Sequence, residues 1–252
     1  MKRIFKFGIF TLLIIGLSAC HNWWHDNYWS SSDRPWVGFG VIHVSDGSNR
    51  YTVEMDNGVM LFPGYYNANQ FNKLEDKDRV LVNYNIIGNR LITGEKEEYD
   101  VRVNKIEKVL YKGILDITPA IEDSIGNDPI NVRNIWKIRN MVTFELGYYI
   151  NSGTHFINLV KQPGEITSED QPIQLELRHN KNGDKETYHM DAFVTFDLSS
   201  LQIAGQDSVA YVINGKNYRG EDYSYKGVYR YTNDSSKSID ANKSVLEEFE
   251  LR

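Results

Sequence analysis

Apolar residues in this chain come in short runs separated by clusters of Gly, Asn, Asp, Ser and Pro, and beyond the N-terminus no long segment repeats at the helical 3.6-residue period. That pattern confines the chain to strands and turns. Residues 37–44 and 50–55 are rich in β-branched and aromatic side chains and flank Ser45-Asp46-Gly47-Ser48-Asn49, a turn cluster. Asp56-Asn57-Gly58 is a second turn, leading into 59–62, and Pro63-Gly64 ends that strand. A turn of helix is expected over 69–74, a strand over 79–87, and a last strand over 99–111 with Val101, Val103, Ile106 and Val109 inward. About five short strands with strong turns predict a small OB-like barrel over residues 36–115.

Residues 116–133 are polar and hold Pro119, Gly126 and Pro129, which predicts a linker between domains. Beyond it, 136–150 and 154–161 are expected as two strands joined by a hairpin at Asn151-Ser152-Gly153. Residues 172–179 and 185–197 flank Asn182-Gly183, a strong hairpin signal because both residues tolerate positive φ. In the second of these strands Met190, Ala192, Val194 and Phe196 alternate with His189, Asp191, Phe193 and Thr195. Further strands are expected at 209–213, 227–231 and 245–251, with a turn at Asn214-Gly215. The whole reads as all-β, with a β-sandwich over residues 134–252.

The N-terminus carries an address. Lys2, Arg3 and Lys6 precede an apolar run over 7–17, and Leu17-Ser18-Ala19-Cys20 closes it. This is the layout of a secretory signal peptide, too short for a comfortable span of about 20 apolar residues. Leu-Ser-Ala-Cys also matches the bacterial lipobox, so residues 1–19 are expected as a lipoprotein signal and Cys20 as the lipidated first residue. Residues 20–35 then form a flexible tether. Its Trp23, Trp24, Tyr28 and Trp29 suit the lipid headgroup level, packing on the first domain, or contact with a specific ligand. Cys20 is the single cysteine, so the processed chain has no thiol for redox chemistry, a disulfide or Cys-ligated zinc. Loss of three basic residues with the leader leaves 25 basic against 34 acidic, a net charge of −9, which disfavours nucleic acid as a partner. The expected partner is the membrane, through the N-terminal lipid, together with a protein, peptide or glycan.

Chemistry-bearing constellations are sparse. His21, His25 and Asp26 have i, i+4 spacing, but chelation at that spacing needs a helix and the tether shows no helical pattern. His179, Asp184 and His189 lie close in sequence. With Asn182-Gly183 as a two-residue turn, His189 faces Glu176, and the two histidines point to opposite sheet faces about 10 Å apart. They then share neither an ion nor a proton. No serine sits in a Gly-x-Ser-x-Gly context, and no P-loop, HExxH, EF-hand or dinucleotide fingerprint is present. No catalytic residue, metal site or cofactor is therefore expected, and the chain reads as non-enzymatic. The aromatic loop Pro63-Gly64-Tyr65-Tyr66-Asn67 is the candidate binding segment, with Tyr65, Tyr66 and Asn67 as contact residues.

Gly38-Phe39-Gly40-Val41, Tyr51-Thr52-Val53-Glu54-Met55-Asp56-Asn57-Gly58 and Asp78-Arg79-Val80-Leu81-Val82-Asn83-Tyr84 resemble the N-terminal OB domain of NigD-like lipoproteins. Leu175-Glu176-Leu177-Arg178-His179-Asn180, Gly183-Asp184 and Phe196-Asp197-Leu198 resemble that family's C-terminal β-sandwich. The resemblance implies a lipoprotein of Bacteroidota-type bacteria, an OB-like domain joined to an immunoglobulin-like sandwich, and a role in bacteriocin immunity. It supplies no catalytic residues. His21-Asn22-Trp23-Trp24 lacks the acidic cluster that marks surface export in such bacteria, so the periplasmic face of the outer membrane is the expected address. A glycan- or peptide-binding accessory lipoprotein is the alternative.

Overall fold

A computed structural model of the chain describes residues 35–44, 50–64, 73–90, 97–167, 170–231 and 249–251. Five strands close the N-terminal barrel: β1 (Trp36–Val44), β2 (Tyr51–Met55), β3 (Met60–Pro63), β4 (Arg79–Asn89) and β5 (Glu98–Lys108). Their order around the barrel is β1-β2-β3-β5-β4, with β4 returning to β1 and β3 parallel to β5. This is the five-stranded OB arrangement anticipated from the turn spacing. Alternate residues point inward, so Ile42, Val53, Leu61, Val80, Val82 and Val101 are fully buried. The β2–β3 turn is tight: the Gly58 N–H donates to the Met55 carbonyl at 2.9 Å, and Gly58 takes φ +86°, which glycine adopts without steric cost.

The second domain is a two-sheet sandwich. Its elements are β6 (Leu110–Gly113), β7 (Leu115–Asp116), a one-turn helix α1 (Glu122–Ile125), β8 (Asn131–Ile138), β9 (Met141–Ile150), β10 (Phe156–Lys161), β11 (Ile173–Asn180), β12 (Tyr188–Asp197), β13 (Ser208–Lys216), β14 (Asp222–Arg230) and β15 (Phe249–Leu251). One sheet runs β15-β14-β13-β11-β10-β7 and the other β6-β12-β9-β8. Phe144 and Phe196 meet edge-on between the sheets, centroids 5.8 Å apart, amid Leu146, Leu159, Leu175 and Ile213.

Several connections differ from the sequence expectation, for physical reasons. The run 99–111 divides, because Val109 is buried and its N–H turns to the Arg79 carbonyl at 2.8 Å. The chain then leaves the barrel and enters the sandwich at once, β6 edging one sheet and β7 the other. The expected linker 116–133 is accordingly built into the second domain, with α1 seating Ile125 on Ile117 and Val160. The run 136–150 is a β8–β9 hairpin, not one strand; it turns at Arg139-Asn140, with Arg139 at φ +52°. Asn151-Ser152-Gly153 and Asn182-Gly183 are not hairpin turns either, since each carries the chain from one sheet to the other. Asn182 and Gly183 do take positive φ, +53° and +72°. Asn214-Gly215 continues β13, pairing with Ser224 and Tyr223 of β14.

The barrel sits on the outer face of the four-stranded sheet. Phe39 of β1 meets Trp136 of β8 at 5.1 Å and Phe193 of β12 at 4.9 Å between ring centroids. Such aromatic pairs add about 0.5–1.5 kcal/mol each beyond the area they bury. Beside them Thr143 and Thr195, both buried, satisfy one another through a 2.9 Å hydroxyl contact. The β8–β9 turn reaches the barrel as well: Arg139 Nη2 donates to Glu54 Oε1 at 2.6 Å, and His43 Nε2 lies 3.1 Å from Glu54 Oε2. Arg139→Ala should cost about 0.5–1 kcal/mol for a half-exposed ion pair. Arg139→Gly should cost less, because glycine relieves the positive φ while losing the same pair. Urea unfolding of both variants measures the difference.

Candidate ligand-binding site

Tyr65, Tyr66 and Asn67 lie outside the described residues, but the base of their loop is described. There the ends of β2, β3, β4 and β5 enclose an open cavity of about 320 Å³ lined by Arg50, Thr52, Phe62, Gly64, Arg90 and Asp100. The Arg90 guanidinium lies over the Phe62 ring, 3.8 Å from its centroid, and Arg90 Nε donates to Asp100 Oδ1 at 2.9 Å. Stacking and ion pairing hold the cation in place, which preorganises a polar edge against an aromatic face. In OB barrels this outer face of strands 2 and 3, with the loops after strands 1 and 4, is where ligands bind. Sequence reasoning reached the loop but not Phe62, Arg90 or Asp100. Parallel pairing of Phe62 with Asp100 brings these distant positions together, and no local pattern encodes it.

The structure also places the histidines. His189 is on the outer face of the four-stranded sheet, where Arg133 Nη2 lies 3.1 Å from its Nε2 and Arg133 Nη1 donates to Asp191 at 2.9 Å. His179 is 1% exposed in the opposite sheet. The two do not meet, as expected, but the reason is that β11 and β12 belong to different sheets rather than to one hairpin.

His179 instead meets His155, which sequence reasoning missed. His179 Nδ1 lies 3.0 Å from the Pro129 carbonyl and its Nε2 lies 2.9 Å from His155 Nδ1. His155 Nε2 in turn lies 3.3 Å from Asp184 Oδ2. Pairing of Ile157 with His179 across β10 and β11 brings the rings together, and Tyr148 of β9 stacks at 5.1 Å and 5.6 Å from them. Asp184 also accepts the Asn151 N–H at 2.8 Å and the Ser152 N–H at 3.2 Å. A Cβ on Gly153 would come 2.7 Å from the Asp184 Cβ, so only glycine lets the carboxylate lie this close to the 151–153 backbone.

Electrostatics follow from these contacts. The Asn151 N–H, joined by those of Gly153 and Ser152 and by the His155 ring, holds the Asp184 carboxyl well below the usual range, against the opposing effect of burial. Burial pushes the His179 imidazole down, with the Pro129 carbonyl opposing it. Both shifts have the same consequence for acid stability, because the unfolded chain then binds more protons. Above about pH 6.5 the His179 contribution is fully present, and it is lost as pH falls below that value. The Asp184 contribution survives to lower pH and is lost only below about pH 4. As pH falls from about 6.5 to about 3, urea midpoints should therefore decline in two stages, and Asp184→Asn should remove the lower one.

His21, His25 and Asp26 lie outside the described residues. Among the described residues no three His, Cys, Asp or Glu side chains are grouped to hold a metal, and no helix is long and apolar enough to cross a membrane.

No curated protein matches the sequence. Solved structures do. A protein from Parabacteroides distasonis described as toxin-related is 26% identical, with a TM-score of 0.63 over 78% of this chain and 94% of its own. A NigD-like immunity protein from Bacteroides caccae is 20% identical, with a TM-score of 0.54 over 79% of this chain and 94% of its own. A protein from Bacteroides fragilis described as a lipoprotein shares 12% identity and a TM-score of 0.59, over 79% of this chain and 99% of its own. The NigD-like N-terminal OB domain matches residues 40–109, the closed barrel, and the NigD-like C-terminal β-sandwich domain matches residues 113–229. With both domains matched in order, this chain belongs to the NigD-like family.

Proposed function

We propose that this protein is a lipid-anchored, non-enzymatic component of the cell envelope that binds another molecule at the barrel cavity and thereby confers immunity to a bacteriocin. The observation that carries the reading is the cavity at the end of the OB barrel, with Arg90 fixed over Phe62. Cys20 in its lipobox supplies the anchor, because diacylation holds a protein at a membrane stably. The immunity assignment draws on the similar fold of the Bacteroides caccae immunity protein. Deleting the gene should sensitise cells to culture supernatants of related strains. Wild type should restore resistance, whereas Cys20→Ser, which prevents acylation, and Arg90→Glu, which reverses the charge of one of the cavity's arginines, should not. Unchanged sensitivity across a broad panel counts against immunity. Mass spectrometry showing an unmodified Cys20 thiol, or an intact leader, counts against anchoring.

A second reading, glycan or peptide binding, is supported by the sandwich. Tyr149 and Tyr218 meet edge-to-face at 5.3 Å beside a cavity of about 360 Å³, and Tyr149 meets His189 likewise at 5.5 Å. Asn217 fixes the adjoining loop by accepting the Arg219 and Glu221 N–H groups at 2.9 and 3.0 Å. A soluble glycan panel should raise the melting temperature of the wild type but not of Tyr149→Ala. A flat response removes the sandwich from consideration as a glycan site.

A further inference from the structure

The His179–His155–Asp184 chain has a proton count that its neighbours fix. A backbone carbonyl can only accept, so the contact to Pro129 requires hydrogen on His179 Nδ1. At its other end the chain meets a carboxylate held ionised by three backbone N–H groups, so His155 Nε2 must carry hydrogen too. Between them, His179 Nε2 and His155 Nδ1 face each other at 2.9 Å and need one hydrogen between them. Three hydrogens on two rings is one more than two neutral imidazoles hold. Either ring can formally carry the extra one. Both rings are buried, but His179 faces a neutral backbone carbonyl, whereas His155 lies directly against the compensating carboxylate, so the charge belongs on His155.

We propose that this cluster is a proton-operated clasp that closes the loop end of the sandwich when it holds one proton beyond two neutral rings. The three segments it joins all run between sheets or into one: 128–130 leads into β8, 151–155 links β9 to β10, and 180–187 links β11 to β12. Removing the proton leaves a ring lone pair facing the Asp184 carboxylate, which loosens the anchor of the 151–153 segment. Adding a second proton sets two N–H groups against each other between the rings. The clasp is therefore closed only within a window of pH.

Other charged groups bear on it from each side. Asp128 and Lys181 face His179, with Asp128 accepting the Lys181 N–H at 2.9 Å, and Lys181 itself pairs with Glu186 at 2.8 Å. Tyr148 stacks on both rings and turns its hydroxyl to the Met190 sulfur at 3.7 Å. The segment 128–130 is bound to β11 and β13, the Asp128 N–H donating to the His179 carbonyl at 2.7 Å and the Ile130 N–H to the Lys216 carbonyl at 2.9 Å. It is flanked by Asn127, which lines a cavity of about 520 Å³, and by Asn131, which lines the cavity beside Tyr149.

The test uses full-length protein in detergent micelles with ¹⁵N-labelled histidine. At pH 7 two-bond ¹H–¹⁵N correlations should show His179 as the Nδ1–H tautomer and His155 protonated on both nitrogens. Two neutral rings, or two cationic ones, overturn the proposal. Amide exchange gives the second readout. His155→Phe keeps the ring stack on Tyr148 and removes both N–H donors. It should speed exchange at Asn151, Ser152 and Gly153 at least tenfold at pH 7, leaving the Leu159 and Leu177 amides of the adjoining ladder unchanged as a control for folding. Unaltered exchange at 151–153 also overturns it, and if His155→Phe does not fold, the wild-type tautomer spectrum decides alone.

Discussion

Asp56→Ala is expected to lower the unfolding free energy by about 3–5 kcal/mol, the cost of leaving a buried charge without its counter-ion. Its partner Arg79 has no exposed side-chain surface; Nη1 donates to Asp56 Oδ1 at 2.5 Å and Nη2 to Oδ2 at 2.6 Å, a bidentate fork. The guanidinium also lies 5.3 Å from the Phe39 ring centroid, beneath the junction of barrel and sandwich. Among the described residues its Nε has no hydrogen-bond partner, so the carboxylate carries nearly all of the compensation. The effect should be lopsided. Asp56 is 19% exposed and can be rehydrated when its partner is removed, so Arg79→Met should cost markedly less than Asp56→Ala. A double variant, Asp56→Asn with Arg79→Met, should return to within about 1–2 kcal/mol of wild type, because a matched pair of neutral groups no longer buries an ion. Urea titrations of the three variants give the comparison; a loss under 1 kcal/mol for Asp56→Ala would show that the cation is compensated elsewhere.

The second large effect is expected at Gly215. It stands opposite Tyr223 in the β13–β14 ladder, and a Cβ there would come 2.1 Å from the Tyr223 hydroxyl oxygen and 2.3 Å from its Cζ. The same ladder repeats the device in reverse, with Tyr211 laid over Gly227. Each ring covers the backbone of a glycine and fills the space a side chain would take, as aromatic residues do for strand glycines elsewhere. Tyr223 is 3% exposed and Tyr211 1%, so neither ring can swing into solvent without opening the core. Gly215→Ala should cost about 1–3 kcal/mol through overpacking. Tyr223→Leu alone creates a void, yet in the double variant the new methyl partly fills it. The two costs should therefore fall short of additivity by about 1 kcal/mol or more in a double-mutant cycle. Strict additivity would mean that the ring and the glycine do not constrain each other.

What sequence reasoning recovered was set by how local the determining physics is. Residues 51–55 alternate buried and half-buried, and the β2–β3 turn needs only neighbouring residues, so both were legible. The run 136–150 misled because Arg139-Asn140 carries neither glycine nor proline, although Arg139 takes a positive φ. The Asn-Gly pairs misled in the opposite direction. At 182–183 the backbone preference is honoured, but the flanking strands find partners in different sheets, and at 214–215 an aromatic ring overrides the turn altogether. Residues 110–116 read as the barrel's end and a connector because Leu110, Tyr111 and Leu115 are largely exposed and their parallel partners, Val194 and Val160, lie far along the chain. The candidate sites failed to show for the same reason. Phe62 and Asp100 are neighbours only across a parallel ladder, and His155 meets His179 only after β10 and β11 pair.

The short strands β6 and β7 have a consequence for how the molecule comes into being. They emerge during synthesis directly behind the barrel, yet β7 must wait for β10, and β6 for β12, much later in the chain. Until then the finished barrel trails two unsatisfied backbone ribbons, and the nascent sandwich has no lateral seals. A truncated chain beginning at Ile117 would keep that incompleteness permanently, baring the outer rims of β10 and β12 to other copies. Self-association of such a fragment, relieved by restoring the seven residues from Leu110 to Asp116, is the behaviour this architecture dictates.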